Sequence, residues 1–164
     1  FSPLGKIPAL TTPDGYTICE TLAIIAHITD RHPSLMPASA QNRDRYWESI
    51  SLLGTTMYPA YHRQHHSYYY APDAAFDEMR RLAQADQSVL FDHIEAMLSP
   101  HLCGEEITAA DFYFYMMCRW DMDKDEMRDN RPKLANFISH MRAHPSVIKV
   151  FDAQPRPAKK RPPF

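Results

Sequence analysis

Glu20 and Thr21 stand side by side at the start of an apolar-periodic stretch. A helix N-terminus offers free N–H groups and the positive end of the helix dipole, which suit a carboxylate, and the Thr21 hydroxyl adds a further donor. The Glu20 carboxylate adds an acceptor for an ammonium group. A group carrying both charges on one carbon therefore suits this pair. Upstream, Lys6 can meet a second carboxylate at the other end of such a ligand. Ile7-Pro8 is an X-Pro bond at a strand start, where a cis isomer is tolerated. A cis bond there turns the Ile7 backbone N–H and C=O outward, ready to pair with an extended peptide as an added strand does. On residues alone the opening is either a peptide cradle or a plain hairpin with a helix cap and a surface lysine.

The elements that must position these groups are legible around them. Residues 7–19 read as a β-hairpin: two short β-prone runs flank Pro13-Asp14-Gly15. There Pro presets φ, Asp bonds back to the backbone and Gly accepts positive φ. A helix follows over about 20–31, with Leu22, Ile25, Ala26 and Thr29 on one stripe, and His32-Pro33 ends it. Residues 33–40, with two prolines and no periodicity, read as a connection. Beyond it the pattern is helical. The spacing predicts helices over 41–61 (Tyr46, Ile50, Leu53, Met57, Tyr61) and 74–98 (Met79, Leu82, Val89, Phe91, Ile94, Leu98). A helix over 112–120 is apolar almost all round and so belongs in the core, and shorter helices over 132–143 and 146–152 close the chain. The proline-rich stretch after Gln154 carries the one basic cluster, Arg156, Lys159, Lys160 and Arg161, and is expected to be a disordered tail.

A second motif lies at Thr108 to Asp111. Thr108 can cap a helix with its hydroxyl while Asp111, three residues on, reaches back. Ile107 before the cap and Phe112 after it can form a hydrophobic staple. The run Pro3-Leu4-Gly5-Lys6-Ile7-Pro8-Ala9-Leu10, then Asp14-Gly15, then Glu20-Thr21-Leu22-Ala23-Ile24, resembles the glutathione transferase family, and the capping box with its preceding Gly104 falls where that family has one. The resemblance covers nearly the whole chain. It implies an α+β, mostly α fold: a partial thioredoxin-like domain (β-hairpin plus helix), residues 1–32, and a linker, 33–40. An all-helical C-terminal domain, 41–153, and the tail, 154–164, complete it.

The resemblance also implies the roles. Lys6 lies near the glycyl carboxylate of glutathione, the Ile7 backbone before Pro8 pairs with the cysteinyl unit, and Glu20 and Thr21 hold the γ-glutamyl end. The family more often has Ser where Thr21 stands. Its members open with a βαβ unit that carries the thiol-activating residue; this chain begins at Phe1, after such a unit, so the catalytic residue is unknown and expected in a preceding segment. Bacterial members often have a Thr-Thr-x-x-Pro-Ala run, matched by Thr55, Thr56, Pro59 and Ala60. The helix bearing that run faces the glutathione half, which makes Ser51, Met57, Tyr58 and Tyr61 the candidates for an electrophile pocket. Pro59 is expected to kink it. Beta-class enzymes tend to have His where Tyr58 stands.

The implied activity is transfer of glutathione, as co-substrate, to a small apolar electrophile. The alternatives are a non-catalytic relative that binds protein and a ligand carrier. Family members are usually homodimers, and the Met, Tyr and His residues of the first long helices, including His65 and Tyr68 to Tyr70, fit an interface.

Composition excludes other classes. The 18 Lys plus Arg nearly balance the 20 Asp plus Glu, which gives no electrostatic reason to expect nucleic acid. No apolar run is long enough to predict a membrane span. Three cysteines without C-x-x-C spacing suit a reducing cytoplasm. His62, His65 and His66 have helical spacing that could hold a metal, but no nearby carboxylate or cysteine completes a set, so no metal is expected.

Overall fold

The computed structural model describes residues 2–154, so the basic cluster of the tail lies outside the described residues. Strands β1 (Ala9–Thr11) and β2 (Thr17–Cys19) pair antiparallel, with Leu10 opposite Ile18. The turn between them closes through Thr12 N–H to the Tyr16 carbonyl (2.8 Å) and Gly15 N–H to the Thr12 carbonyl (2.9 Å). Gly15 has φ of 88°, which a side chain would oppose. Helix α1 (Thr21–Arg31) follows, and a short 3₁₀ turn, Pro33–Leu35, leads into the helical bundle.

The first long helix accommodates Pro59 through a widened turn. It runs as α2 (Ala40–Leu52), a π-helical turn Leu53–Met57, and α3 (Tyr58–His65). Within that turn the Tyr58 N–H reaches back five residues to the Leu53 carbonyl. Pro59 has no N–H and its ring crowds the preceding turn, so widening the helix just ahead of it relieves both problems. The helix also continues past residue 61, to His65.

Helix α4 (Phe76–Met97) packs along α3, and α5 (Ala109–Cys118) fills the centre. Tyr46, Ile50, Leu53, Met57, Tyr61, Phe91, Ile94 and Phe114 lie in one core with Leu134, Phe137 and Met141 of α7 (Pro132–Ala143). Helix α8 (Pro145–Ala153) closes the bundle. The stripe read for α4 needs correction: Val89 and Leu82 are exposed, and Ala83 and Gln87 are buried instead. Small Ala83 suits the close approach of α3, and the Gln87 amide donates to the Gln64 side chain at 3.1 Å. A short helix, α6 (Lys124–Arg128), carries no apolar period and was not expected. Behind it the buried Arg131 guanidinium bonds Asp92 (2.7 Å), the Ser88 hydroxyl (2.7 Å) and the Glu126 carbonyl (2.9 Å), tying α4 to α6. Glu95 of α4 accepts from the Lys133 and Leu134 N–H groups, capping α7 from outside.

Gly54, in the π turn, is where α1 meets the bundle. A Cβ there would lie 2.8 Å from Leu22 Cδ1 and 3.2 Å from its Cγ. Gly54→Val should therefore push α1 off the bundle and cost about 1–3 kcal/mol, as overpacking does. Thermal melts check this. Leu22→Ala in the same chain should restore part of the loss, and a simple sum of the two losses would refute the contact's importance.

Candidate functional site

The loop before β1 is pinned by its backbone. Gly5, at φ of 63°, donates its N–H to the Ser2 carbonyl (3.0 Å), and Lys6 N–H donates to the Ser2 hydroxyl (3.2 Å). The Ile7-Pro8 bond is cis. Ile7 is 92 % exposed, and neither its N–H nor its C=O is hydrogen-bonded within the described residues. A backbone edge is thus open at the position where an extended ligand strand would pair.

Glu20 occupies the N-cap of α1 with φ of 73° and ψ of 126°. A non-glycine residue at positive φ is costly, and such residues gather at functional sites. No side chain caps this helix start, and no acidic residue sits in its first turn. The first N–H groups of α1 therefore remain available beside the Thr21 hydroxyl, with the exposed Glu20 carboxylate next to them.

Leu22 and Ile25 pack α1 on the bundle, and two contacts lie on the side of the cradle. One is Leu22 on Gly54, a turn before Tyr58. The other is Lys6, whose Nζ lies 5.8 Å from the centroid of the Tyr69 ring. Between these contacts runs a ladder of rings. Trp120 meets Tyr58 edge-on (5.7 Å), Tyr58 stacks on His62 (6.2 Å), and His62 lies parallel to Tyr69 (5.8 Å, 11°). The Tyr70 hydroxyl holds His62 Nδ1 at 2.6 Å. Partial burial, and after it the nearby His66 and Lys6, lower the pKa of the His62 imidazole and so favour its neutral form.

The four pocket candidates separate. Tyr58 is 38 % exposed and Ser51 is exposed on α2, whereas Met57 and Tyr61 are closed inside the core. Met57 and Tyr61 are therefore core residues, out of reach of a ligand at the surface. The Tyr61 hydroxyl donates to Asp121 at 3.0 Å, and burial followed by the Asp121 charge pushes its pKa up, so it keeps its proton. Trp120 meets both Tyr58 and Tyr61 edge-on, a contact the sequence does not announce, since Trp120 ends an apolar run that reads only as core.

His62 and His66 adjoin, with ring centroids 4.8 Å apart, but each is bonded to a tyrosine hydroxyl and His65 is turned elsewhere. His65 bonds the Trp120 carbonyl (3.0 Å), while His66 bonds the Tyr68 hydroxyl (2.9 Å). No group of three metal-ligating side chains is found among the described residues. Likewise, no helix among them is long and apolar enough to cross a membrane.

At Thr108 and Asp111 the capping box is formed, well inside the bundle. Asp111 accepts from Thr108 N–H (2.7 Å), the Thr108 hydroxyl (2.8 Å) and Leu102 N–H (2.9 Å).

Comparison with known proteins gives consistent matches. Residues 61–153 match the family described as glutathione S-transferase, C-terminal domain. The chain is 24 % identical over 158 residues to glutathione S-transferase GstA of Escherichia coli, covering 93 % of this chain and 76 % of that one. It superposes on a glutathione transferase homolog from Sulfitobacter with bound glutathione at a TM-score of 0.82 and 25 % identity, over 92 % of this chain and 74 % of that one. A sphingomonad glutathione S-transferase complexed with glutathione gives 0.77 and 28 %, over 92 % and 75 %.

Proposed function

The chain belongs to the glutathione S-transferase family, and on that premise we propose that it conjugates the glutathione thiolate to a small apolar electrophile. Glutathione transfer is the activity its relatives share by name. The γ-glutamyl end is read onto Glu20 and Thr21, the cysteinyl unit onto the Ile7 backbone before cis-Pro8, and the glycyl carboxylate onto Lys6. The thiolate is the nucleophile: its sulfur forms a bond to the electrophilic carbon while the leaving group departs with its electron pair. No residue of this chain is assigned the task of activating the thiol.

One observation carries the electrophile's apolar character. The peptide cradle adjoins the ring ladder through Leu22–Gly54 and Lys6–Tyr69, so an electrophile beside the cysteinyl unit would meet Tyr58 and Trp120. Flat apolar compounds gain stacking as well as burial against such a wall. The reading extends to a cytoplasmic, detoxifying homodimer; the dimer part is supported by exposed Tyr68 and Tyr70 after α3 and by exposed Leu82 and Val89 on α4.

The test uses the purified full-length protein with glutathione and an activated chloronitrobenzene. Tyr58→Ala should raise KM for the aromatic electrophile about two- to tenfold while leaving KM for glutathione unchanged. An unchanged electrophile KM removes Tyr58 from the pocket. Light scattering on the same sample should give twice the subunit mass, and a monomer mass would sink the dimer.

A further inference from the structure

Resting on the peptide cradle read above, we infer that Tyr69 is a positioning residue, its ring holding the Lys6 ammonium where the C-terminal carboxylate of the bound peptide arrives. Lys6 is exposed, and no carboxylate of the described residues pairs with it. Only its backbone is tied down, through the Ser2 hydroxyl. A lysine so placed would spread its charge over many rotamers, each of which must be given up when an anion binds.

The Tyr69 ring face narrows that spread. An ammonium within about 6 Å of an aromatic centroid is attracted by the ring quadrupole, and Lys6 Nζ lies at 5.8 Å. A ring does this without taking a formal hydrogen bond, so the ammonium keeps its donors for a carboxylate. An acidic partner would compete with the ligand instead.

Tyr69, although exposed, rests against other rings. It lies parallel to His62 at 5.8 Å, and the Tyr68 ring centroid is 4.4 Å away. His62 belongs to α3 and is held by the Tyr70 hydroxyl. The position of Lys6, a residue of the hairpin loop, is thereby referred to the helical bundle. This makes the bundle a participant in peptide selection as well as in electrophile binding.

Calorimetry on the full-length protein with two probes tests this: glutathione, and glutathione amide, in which the glycyl carboxylate becomes an uncharged carboxamide. Tyr69→Leu should weaken glutathione about two- to fivefold and leave the amide unchanged. Tyr69→Phe, which keeps the ring, should behave as the parent. In a Lys6→Gln background Tyr69→Leu should have no further effect. Equal weakening of both probes by Tyr69→Leu, or any effect in the Lys6→Gln background, would overturn the positioning role while leaving Lys6 in place. If Lys6→Gln itself fails to separate the two probes, the reading of Lys6 falls and the role of Tyr69 falls with it.

Discussion

Glu20→Gly should make the protein more stable and a poorer binder of glutathione. The two effects come from different parts of one residue. Its backbone sits at φ of 73°, where a side chain costs about 1–3 kcal/mol and glycine costs almost nothing sterically. Against that relief stands the extra freedom glycine gives the unfolded chain, about 0.5–1 kcal/mol. The net gain is about 1 kcal/mol, or 2–4 °C in Tm for a chain of this size. Its side chain is the acceptor read onto the ligand's ammonium group. It is exposed, so its loss should cost about 1 kcal/mol or somewhat more, roughly a fivefold weaker Kd. Glu20→Gln separates the effects: it keeps the strain and loses the charge, so it should weaken binding with no gain in Tm. Thr21→Ala should weaken binding through its hydroxyl alone. Parent-like affinity in both Glu20 variants and in Thr21→Ala, by calorimetry, would remove the γ-glutamyl assignment. A Tm that does not rise in Glu20→Gly would show that the left-handed backbone is not strained.

That trade is visible in the sequence only in part, and the reason is general to this chain. Pro13-Asp14-Gly15 and the stripe of α1 are short-range patterns, and the hairpin and helix form where those patterns place them. The cap at Thr108 and Asp111 is also local, three residues apart, and it is present. What the sequence does not carry is spacing across the chain. Tyr58 and Trp120 meet edge-on although 62 positions separate them, and Lys6 meets Tyr69 across a similar gap. No periodicity encodes such pairs. The same holds for α4, where hydrophobicity suggested Val89 as core. Close approach to α3 selected Ala83 and Gln87 instead, because small size and a hydrogen-bond partner mattered more there than apolar area. Helix α6 is too short for a period and is held by Asp123 at its N-cap and by Arg131 from behind. The π turn follows from Pro59, but a proline announces only that something must yield, not whether the helix will bend or widen.

The largest loss of stability should come from Asp111→Ala. A helix cap of this kind ordinarily contributes about 1 kcal/mol, and the local motif predicts no more. The structure raises the figure, because the carboxylate also accepts from Leu102 N–H, nine residues back. Asp111 is fully buried, as are Thr108 and Leu102, so water cannot replace the lost acceptor. Alanine would leave two buried N–H groups and the Thr108 hydroxyl without it, at about 1–3 kcal/mol for each group left unpaired. Partial relaxation brings the total to about 3–5 kcal/mol, a fall in Tm of roughly 10 °C or more. A counterweight exists: burial pushes the Asp111 pKa up, so the carboxylate pays for desolvation, and the alanine variant escapes that cost. The hydrogen bonds outweigh it because three donors converge on one group. Asp111→Asn keeps one carbonyl acceptor and should lose about half as much. The box touches none of the cradle residues, so glutathione affinity measured below the melting transition should match the parent. A drop in Tm of only a few degrees would show that Leu102 finds another acceptor, and a changed affinity at full folding would show that the box reaches the ligand.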